Sequence, residues 1–362
     1  MRFTPKLNIA FFGSSLLSAY WNGAATYYRG LIKALRRRGH QVTFYEPDAF
    51  QRQSHRDMEP PSWARVRVYS ADGTSHVLEA LQEAGRCDLV VKCSGIGVFD
   101  ALLEREVLDL KRQGARVAFL DVDAPATLAR VVENPFDEFR ALIREYDYIF
   151  TYGGGEPVIE KYRELGARNC TPIYNALDPE THFRVAPDHR FKAHLALLAN
   201  RLPDRERRVE EFFIKVADCL VSKTFLLGGN GWDDKPFGRN ILYCGHVYTS
   251  DHNAFNSTAA VVLNINRDSM ARCGFSPPTR IFEAAGAAAC MISDEWEGIE
   301  LFLEPGKEIL TAHTGDEVCD HLERLTPARC RKIGEAARRR ILAQHTYEQR
   351  SRQFEYALGF DC

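Results

Sequence analysis

Residues 274–294 read GFSPPTRIFEAAGAAACMISD, and this stretch decides the fold class that the sequence predicts. Ser276 suits the N-cap of a helix, and the prolines that follow it are tolerated in a first turn whose N–H groups have no helical partner. A helix rich in small residues then leads into an apolar strand that begins near Cys290. A helix that runs directly into a buried strand is the repeating unit of a parallel α/β domain.

Arg280 is the unusual residue of this stretch. A cation in the first turn of a helix faces the positive end of the helix dipole, which is unfavourable unless an anion binds at the same place. Helix N-termini are common phosphate sites because their first N–H groups point outward. We therefore expect a phosphate-bearing ligand at this turn.

The same alternation of strands and helices continues on both sides of the stretch. Residues 7–12 (LNIAFF) are typical of a buried strand, and a second series of strands and helices begins at 194–200 (HLALLAN). Residues 175–190 between the two series are polar and contain two prolines, so we interpret them as an interdomain linker. The sequence predicts an α/β protein of two Rossmann-like, doubly wound domains facing a cleft, residues 1–185 and 186–345.

The composition excludes several classes of protein. The 362 residues carry a net charge of −2, which does not favour nucleic acid or a membrane surface as the main partner. The ten cysteines show no CxxC pair or zinc-type spacing, so we expect reduced thiols and a cytoplasmic protein. The N-terminal apolar run is too short for a signal peptide, and no integral membrane segment is predicted.

Several motifs after residue 194 resemble the C-terminal half of the CgeB-like glycosyltransferases, which have the GT-B fold. The matching pieces occur in the family's order: LLANRLPDRERRVEEF, FLLGGNGW, ILYCGHV, VVLNINRDS, GFSPPTRIFEAAGAAACMISD and LFLEPGKEIL. The N-terminal half matches more loosely, through LKRQGARVAFLDVDAPATL and the segment from YIFTYGGGEP to DPETHF. The resemblance implies a nucleotide-sugar donor in the second domain, an acceptor in the first, and a helix at 346–362 that packs back on the first domain.

The resemblance also assigns the donor side. Glu283 matches the glutamate that holds the nucleotide ribose, and a carboxylate can accept hydrogen bonds from both ribose hydroxyls. Arg280 and the backbone near Ser276 would face the diphosphate, and at least one cation should stabilise this leaving group. The remaining predicted donor residues lie in three loops: Asn200, Arg201 and Arg205; Gly229, Asn230 and Gly231; Gly274 and Phe275.

Asp121 and Asp123 form a DxD motif in the first domain. In a different transferase fold such a motif binds a divalent metal, but here it is remote in sequence from the predicted diphosphate loops, and no metal is expected. We favour a general base or a contact with the acceptor hydroxyl for one of the two, with a structural or capping role as the alternative.

Two further sets of residues are candidates for the site. Tyr20, Trp21 and Asn22 are predicted to bind the acceptor because aromatic faces suit sugars and planar molecules, although ordinary loop packing would explain them too. His182 and His246 could act as bases, but neither has a visible partner in the sequence, so we expect satisfied structural histidines.

One departure from the family pattern leaves alternatives open. Related retaining transferases often carry another glutamate shortly before the Gly-Phe pair, where this chain has Arg272 and Cys273. The stereochemical outcome is therefore undecided. A nucleotide-sugar epimerase of the same architecture, or a non-catalytic nucleotide-sugar-binding or assembly protein, are the alternatives, whereas no G-x-G-x-x-G follows the first strand as a nicotinamide dehydrogenase would need.

The sequence therefore predicts a metal-independent glycosyltransferase without a cofactor. Its donor would be a nucleotide diphospho-sugar, with UDP among the candidate nucleotides, and its acceptor a small molecule, a glycan or another hydroxyl or amine compound. No nucleic-acid partner is inferred, and the oligomeric state is not predicted.

Overall fold

The computed structural model describes residues 5–360, which divide into two compact units. Unit 1 comprises the described residues up to Asn175 together with those from Tyr347 onward, and unit 2 spans Ala176–Thr346. No helix within residues 5–360 is both long enough and apolar enough to cross a membrane.

Unit 1 is built on a parallel sheet of seven strands in the order β3-β2-β1-β4-β5-β6-β7. The strands are β1 (Asn8–Phe12), β2 (Gln41–Asp48), β3 (Arg65–Ser70), β4 (Leu89–Cys93), β5 (Arg116–Asp121), β6 (Tyr148–Thr151) and β7 (Cys170–Pro172). The helices between them are α1 (Ala25–Arg37), α2 (Ser75–Ala84), α3 (Asp100–Glu106), α4 (Ala124–Glu133), α5 (Glu138–Leu142) and α6 (Gly155–Glu164). The central strands are apolar runs because helices cover both faces of such a sheet.

Unit 2 repeats this plan with six parallel strands in the order β10-β9-β8-β11-β12-β13. The strands are β8 (Leu195–Leu198), β9 (Phe225–Gly228), β10 (Ile241–Tyr243), β11 (Val261–Asn264), β12 (Met291–Asp294) and β13 (Leu310–Ala312). The helices are α7 (Pro203–Val209), α8 (Lys215–Cys219), α9 (Thr249–Thr258), α10 (Asp268–Cys273), α11 (Thr279–Gly286), α12 (Gly315–Arg324) and α13 (Pro327–Gln344). A π-helical turn, Glu210–Ile214, joins α7 to α8.

Both sheets reverse their strand order beside the first strand. The chain moves outward through β2 and β3 from β1, then returns to place β4 on the other side, and unit 2 does the same around β8 with β11. Ligands of open α/β sheets bind at the carboxyl ends of the strands at such a point. In unit 2 this places the loop after β8 beside the loop after β11.

Unit 2 begins ten residues earlier than the boundary predicted at 185/186. Residues 176–185 belong to it because they bond to its helices: Asn253 on α9 accepts a hydrogen bond from the Phe183 N–H at 3.0 Å and donates one to the Thr181 carbonyl at 2.9 Å. On α11, a Cβ at Gly286 would lie 2.7 Å from the carbonyl oxygen of His182, so the segment passes directly over that helix. The polar composition of this segment therefore reflects contacts and not a free linker.

After unit 2 the chain returns to unit 1 as α14 (Tyr347–Ala357), which packs on α1. The ring of Tyr347 lies where a side chain on Gly30 would be, with ring carbons 2.1 Å from a Cβ built there. The buried Glu355 carboxylate pairs with Arg38 and lies 2.8 Å from Nε2 of the buried His40. These contacts join α14 to α1 and to the turn between α1 and β2.

Candidate functional site

Glu283 lies in α11 as a buried carboxylate, its side chain 8% exposed, and no hydrogen bond to it is found within residues 5–360. Three basic groups surround it: Arg280 Nη1 lies 3.1 Å from Oε2, His182 Nε2 3.6 Å from Oε1, and His252 Nδ1 3.9 Å from Oε2. Burial raises the pKa of Glu283, but the charges of His182, Arg280 and His252 outweigh it and lower the pKa to about 2. Glu283 is thus an anion at neutral pH.

The two histidines reach Glu283 from different segments. His182 is 3% exposed and belongs to the segment that precedes β8, and His252 is in the first turns of α9. Burial lowers the pKa of His252 to about 4. His182 Nε2 and His252 Nδ1 are buried and make no hydrogen bond with any described residue. The expectation that His182 is a satisfied structural histidine is therefore wrong, and no signal in the sequence indicated His252.

Three arginine side chains of unit 2, those of Arg205, Arg267 and Arg280, lie close enough to interact electrostatically. Burial and the neighbouring charges of Arg267 and Arg280 lower the pKa of Arg205. Arg267 pairs with Asp204 at 2.7 Å, and Arg280 donates to the Leu198 carbonyl at 3.4 Å. Arg205 has a buried Nε without a hydrogen bond and no carboxylate within ion-pair distance in the described chain. Because the neighbouring cations disfavour the charged form of Arg205, an anion bound beside it would be stabilised.

The N-terminus of α11 adds a backbone contribution. The N-cap is Pro278, which offers no side-chain cap, and Arg280 lies in the first turn. The predicted N-cap role of Ser276 is wrong, because its buried hydroxyl donates to the Gly274 carbonyl at 2.9 Å. An uncapped first turn beside arginines combines the helix dipole with positive side chains, which is a suitable arrangement for a phosphate group.

The loop of Gly274 and Phe275 leads into this helix and is held in a fixed conformation. Gly274 has φ +68°, and Phe275 has φ +46° and donates its N–H to the Glu297 carbonyl at 2.6 Å. The Phe275 ring lies 2.3 Å from where a Cβ on Gly298 would be, so the 297–298 turn fits against it closely. The structure thus places this predicted donor loop directly before α11.

The predicted residues after β8 and β9 form a second, interlocked pair of loops. Asn200 Oδ1 accepts from the Asn230 N–H at 2.9 Å, and the Asn230 carbonyl accepts from the Arg201 N–H at 2.9 Å. Gly229 has φ +121°, and a Cβ there would lie 2.2 Å from the Ala199 carbonyl oxygen. Gly231 also has positive φ, at +86°. These glycines are required by the close approach of the two loops.

Arg201 does not join the group around Arg205. Its guanidinium pairs with Glu206 at 2.7 Å and Asp234 at 2.8 Å and lies over the ring of the buried Trp232. These hydrogen bonds raise the pKa of Arg201. Its charge is therefore balanced by two partners, unlike that of Arg205.

In unit 1, Asp121 has the environment of a structural residue. Its buried carboxylate accepts from Ser94 Oγ at 2.8 Å, Thr127 Oγ1 at 2.9 Å, Tyr162 OH at 2.5 Å and the Asp123 N–H at 3.1 Å. Burial raises the pKa of Asp121. A carboxylate enclosed in this way cannot reach an acceptor, so the general-base role predicted for it does not fit. Asp123, half-buried at the start of α4, remains the candidate.

The three predicted acceptor residues of unit 1 separate into two kinds. Asn22 is buried and holds its own loop, with Oδ1 accepting from Ser14 Oγ and Nδ2 donating to the carbonyls of Ser15 and Ser18. Tyr20 and Trp21 are 36% and 57% exposed. Tyr20 stacks on a histidine ring, and Trp21 has φ +47°, a conformation rare for a large side chain. Only the two aromatic faces are open to a ligand.

Comparison with known proteins agrees with this architecture. Residues 205–356 match the family described as "Glycosyl transferase-like". No curated protein matches the chain in sequence.

Solved structures with the same fold match almost the whole chain. HepE of Anabaena with UDP-glucose has a TM-score of 0.68 at 11% identity, covering 98% of this chain and 99% of its own. Sucrose-phosphate synthase of Thermosynechococcus elongatus has a TM-score of 0.72 at 14% identity, covering 98% of both chains. An α-glucosyltransferase in complex with UDP-glucose and DNA has a TM-score of 0.71 at 13% identity, covering 98% of this chain and 100% of its own.

These likenesses establish the fold. The predicted fold class, two Rossmann-like parallel sheets in the GT-B architecture, is confirmed. The chain has the GT-B fold, and over residues 205–356 it is similar to the glycosyl transferase-like family.

Proposed function

We propose that this protein is a glycosyltransferase that moves a sugar from a nucleoside diphospho-sugar to a hydroxyl or amine acceptor without a metal cofactor. The observation that carries the proposal is the environment of Glu283, a buried, ionised carboxylate that has no hydrogen bond within residues 5–360 and lies within one helical turn of Arg280. A buried anion of this kind is stabilised when a ligand donates hydrogen bonds to it. Two ribose hydroxyls are donors of suitable spacing.

The diphosphate would be bound by Arg205, Arg280 and the N-terminus of α11. Arg205 has no acidic partner within ion-pair distance in residues 5–360, and Arg280 is in the first turn of α11. When the bond between the sugar and the diphosphate breaks, negative charge grows on the leaving group. Fixed cations and helix N–H groups stabilise that charge without reorganisation, so no divalent ion is needed for this step.

The acceptor would bind in unit 1. Tyr20 and Trp21 offer exposed aromatic faces at the carboxyl side of β1, and Asp123 follows β5 with a half-buried carboxylate. We propose Asp123 as the group that receives the acceptor proton, since Asp121 is enclosed by its own donors. The Asp123→Asn variant should then lose transfer while it keeps nucleotide affinity.

The test begins with calorimetric titration of UDP, GDP, ADP, CDP and dTDP into the protein. UDP is first in the panel because HepE and the α-glucosyltransferase were solved with UDP or UDP-glucose. Binding of one nucleoside diphosphate, followed by transfer from its labelled sugar to a hydroxyl acceptor in the presence of EDTA, is the expected result.

Other outcomes would lead to other functions. Conversion of the donor sugar to an epimer without an acceptor would replace the transferase by the epimerase of the same architecture. Binding without any turnover would identify a nucleotide-sugar-binding protein. Absence of binding for every nucleotide in the panel would overturn the proposed donor site altogether.

A further inference from the structure

Two buried imidazole nitrogens face Glu283 and are not used by the proposed transfer. His182 Nε2 lies 3.6 Å from Oε1 and His252 Nδ1 lies 3.9 Å from Oε2, distances too long for hydrogen bonds. Both nitrogens are buried, and neither has a hydrogen-bond partner in the part of the chain that the structure describes. The three ligand atoms, one from each residue, lie within 4.8 Å of one another.

The hydrogen bonds around Thr181 favour one tautomer of His182. In it the Thr181 hydroxyl donates to the Asp178 carbonyl at 3.1 Å. The Thr181 oxygen is then the acceptor for His182 Nδ1 at 3.0 Å. A neutral His182 therefore carries its proton on Nδ1 and directs the lone pair of Nε2 at Glu283.

His252 approaches the carboxylate from another segment. Its Nδ1, the nitrogen that faces Glu283, is buried and has no hydrogen bond within residues 5–360. Two lone pairs and a carboxylate thus converge on one small volume. When both imidazoles are neutral, electron-rich atoms so placed repel one another unless a proton or a metal ion lies between them.

The donor set is that of a transition-metal site. Two imidazoles and one carboxylate with an open fourth position form a known type of zinc site, whereas Mg²⁺ and Ca²⁺ prefer oxygen ligands. Ligands at about 2.1 Å in a tetrahedral site lie about 3.4 Å apart, so ligand atoms that now lie within 4.8 Å of one another would have to close by up to about 1.4 Å around an ion. Metal-bound histidines also donate their other N–H to protein oxygens, as Thr181 provides for His182.

We propose that His182, His252 and Glu283 form a binding site for a divalent transition-metal ion such as Zn²⁺, and that an ion there excludes the nucleotide from Glu283. The metal site is inferred from the three side chains alone. The exclusion of nucleotide rests on the proposed function, because it takes Glu283 as the residue that holds the ribose. The metal would then act as a competitive inhibitor and not as a cofactor of transfer.

The charge of Arg280 should affect the binding of metal and of nucleotide in opposite directions. Its Nη1 lies 3.1 Å from Glu283 Oε2, so its positive charge opposes a metal ion and favours a diphosphate. Replacing it with glutamine should therefore tighten metal binding and weaken nucleotide binding. A variant that merely damages the fold would weaken both.

The experiment uses the full chain, freed of metal and kept reduced. Zn²⁺ is titrated by calorimetry, and Co²⁺ is titrated by absorption spectroscopy, because a thiolate ligand would give a strong charge-transfer band that an imidazole and carboxylate set does not. We expect one site without a thiolate band, at least tenfold weaker in His182→Gln and in His252→Gln, and tighter in Arg280→Gln. The matched control is His189→Gln, whose parent side chain is 96% exposed.

Two results would overturn the metal site: equal Zn²⁺ affinity in the wild type and in both histidine variants, or a Co²⁺ site with the thiolate band. Competition is tested separately by titrating UDP with and without Zn²⁺. Unchanged UDP affinity at saturating Zn²⁺ would overturn the exclusion of nucleotide. Failure of UDP and every other nucleotide to bind would overturn the proposed function, while the Zn²⁺ titrations would still decide the metal site.

Discussion

Asp121 in unit 1 and Glu283 in unit 2 are both buried carboxylates near the carboxyl ends of parallel strands, and their surroundings are opposite. Asp121 accepts hydrogen bonds from three side chains and one backbone N–H. Glu283 accepts none within the described residues, although three basic groups lie within 4 Å of it. The hydrogen-bonding capacity of Asp121 is met by the protein, whereas Glu283 has charged neighbours but no hydrogen bond from the described residues.

A structural carboxylate and a ligand-binding carboxylate can both be buried, as Asp121 and Glu283 are. Burial raises the pKa of Asp121 in spite of its hydrogen bonds, whereas neighbouring charges lower the pKa of Glu283 to about 2. Burial alone does not distinguish the two residues. The distinction lies in whether the polar atoms are satisfied by the protein, since a buried charge without hydrogen bonds is costly until a ligand supplies them.

The largest effect is expected from Asp121→Ala. It removes the acceptor of Ser94, Thr127 and Tyr162 at once and leaves buried donors unsatisfied, so the free energy of unfolding should fall by about 3 kcal/mol or more. Urea unfolding followed by fluorescence measures this loss. Glu283→Ala is the matched control with a much smaller loss, and equal losses in the two variants would remove the contrast between the carboxylates.

The next effect concerns affinity. Glu283→Gln and Arg205→Ala should each weaken binding of the nucleoside diphosphate by about 10- to 100-fold, because each removes a charged contact worth about 1–3 kcal/mol. Calorimetry at constant ionic strength gives the affinities. Wild-type affinity in both variants would contradict the donor site in unit 2.

A smaller effect is expected from pH. The pKa of His252 in the folded protein, about 4, is below its usual 6.5, so the folded state binds fewer protons and stability is complete above pH 6.5 and lost as pH falls toward 4. Between pH 7 and pH 5.5 the loss is about 1 kcal/mol. His252→Gln should flatten the stability profile in this range, and an unchanged slope would show that other groups cause it.

The smallest effect is expected from Arg201→Ala. Arg201 is bound by Glu206 and Asp234 at the surface, so its removal should leave the nucleotide affinity unchanged within the error of calorimetry. Arg201 and Arg205 are only four residues apart, so the nucleotide affinities of their two variants show which of them lies in the donor site. A loss equal to that of Arg205→Ala would place Arg201 in the donor site.

The sequence predicted the two sheets because their central strands are apolar runs between turn residues. It missed β3, where Arg65 and Arg67 alternate with valines on an edge strand and interrupt the apolar run. It also placed the start of unit 2 too late, because a polar segment resembles a linker until its hydrogen bonds to α9 are visible.

The candidate site was predicted only where it is local in sequence. Arg280 and Glu283 share one helix and one motif, so their proximity could be read directly. His182, His252 and Arg267 come to the site from separate segments, and no spacing rule connects them. The role of Asp121 was misjudged for the same reason, since its donors come from the loop after β4 and from α4 and α6.

The return of α14 to unit 1 has a consequence for the order of events during synthesis. Unit 2 is one continuous segment, so it can fold as soon as residue 346 has left the ribosome. Unit 1 lacks the helix that covers Gly30 and pairs with His40 until the whole of unit 2 has been made. At roughly 5–20 residues per second, the N-terminal sheet waits about 10–40 s for its last helix, with the face of α1 uncovered. Unit 1 is synthesised first but completed last. We therefore expect chaperones that bind nascent chains to bind unit 1.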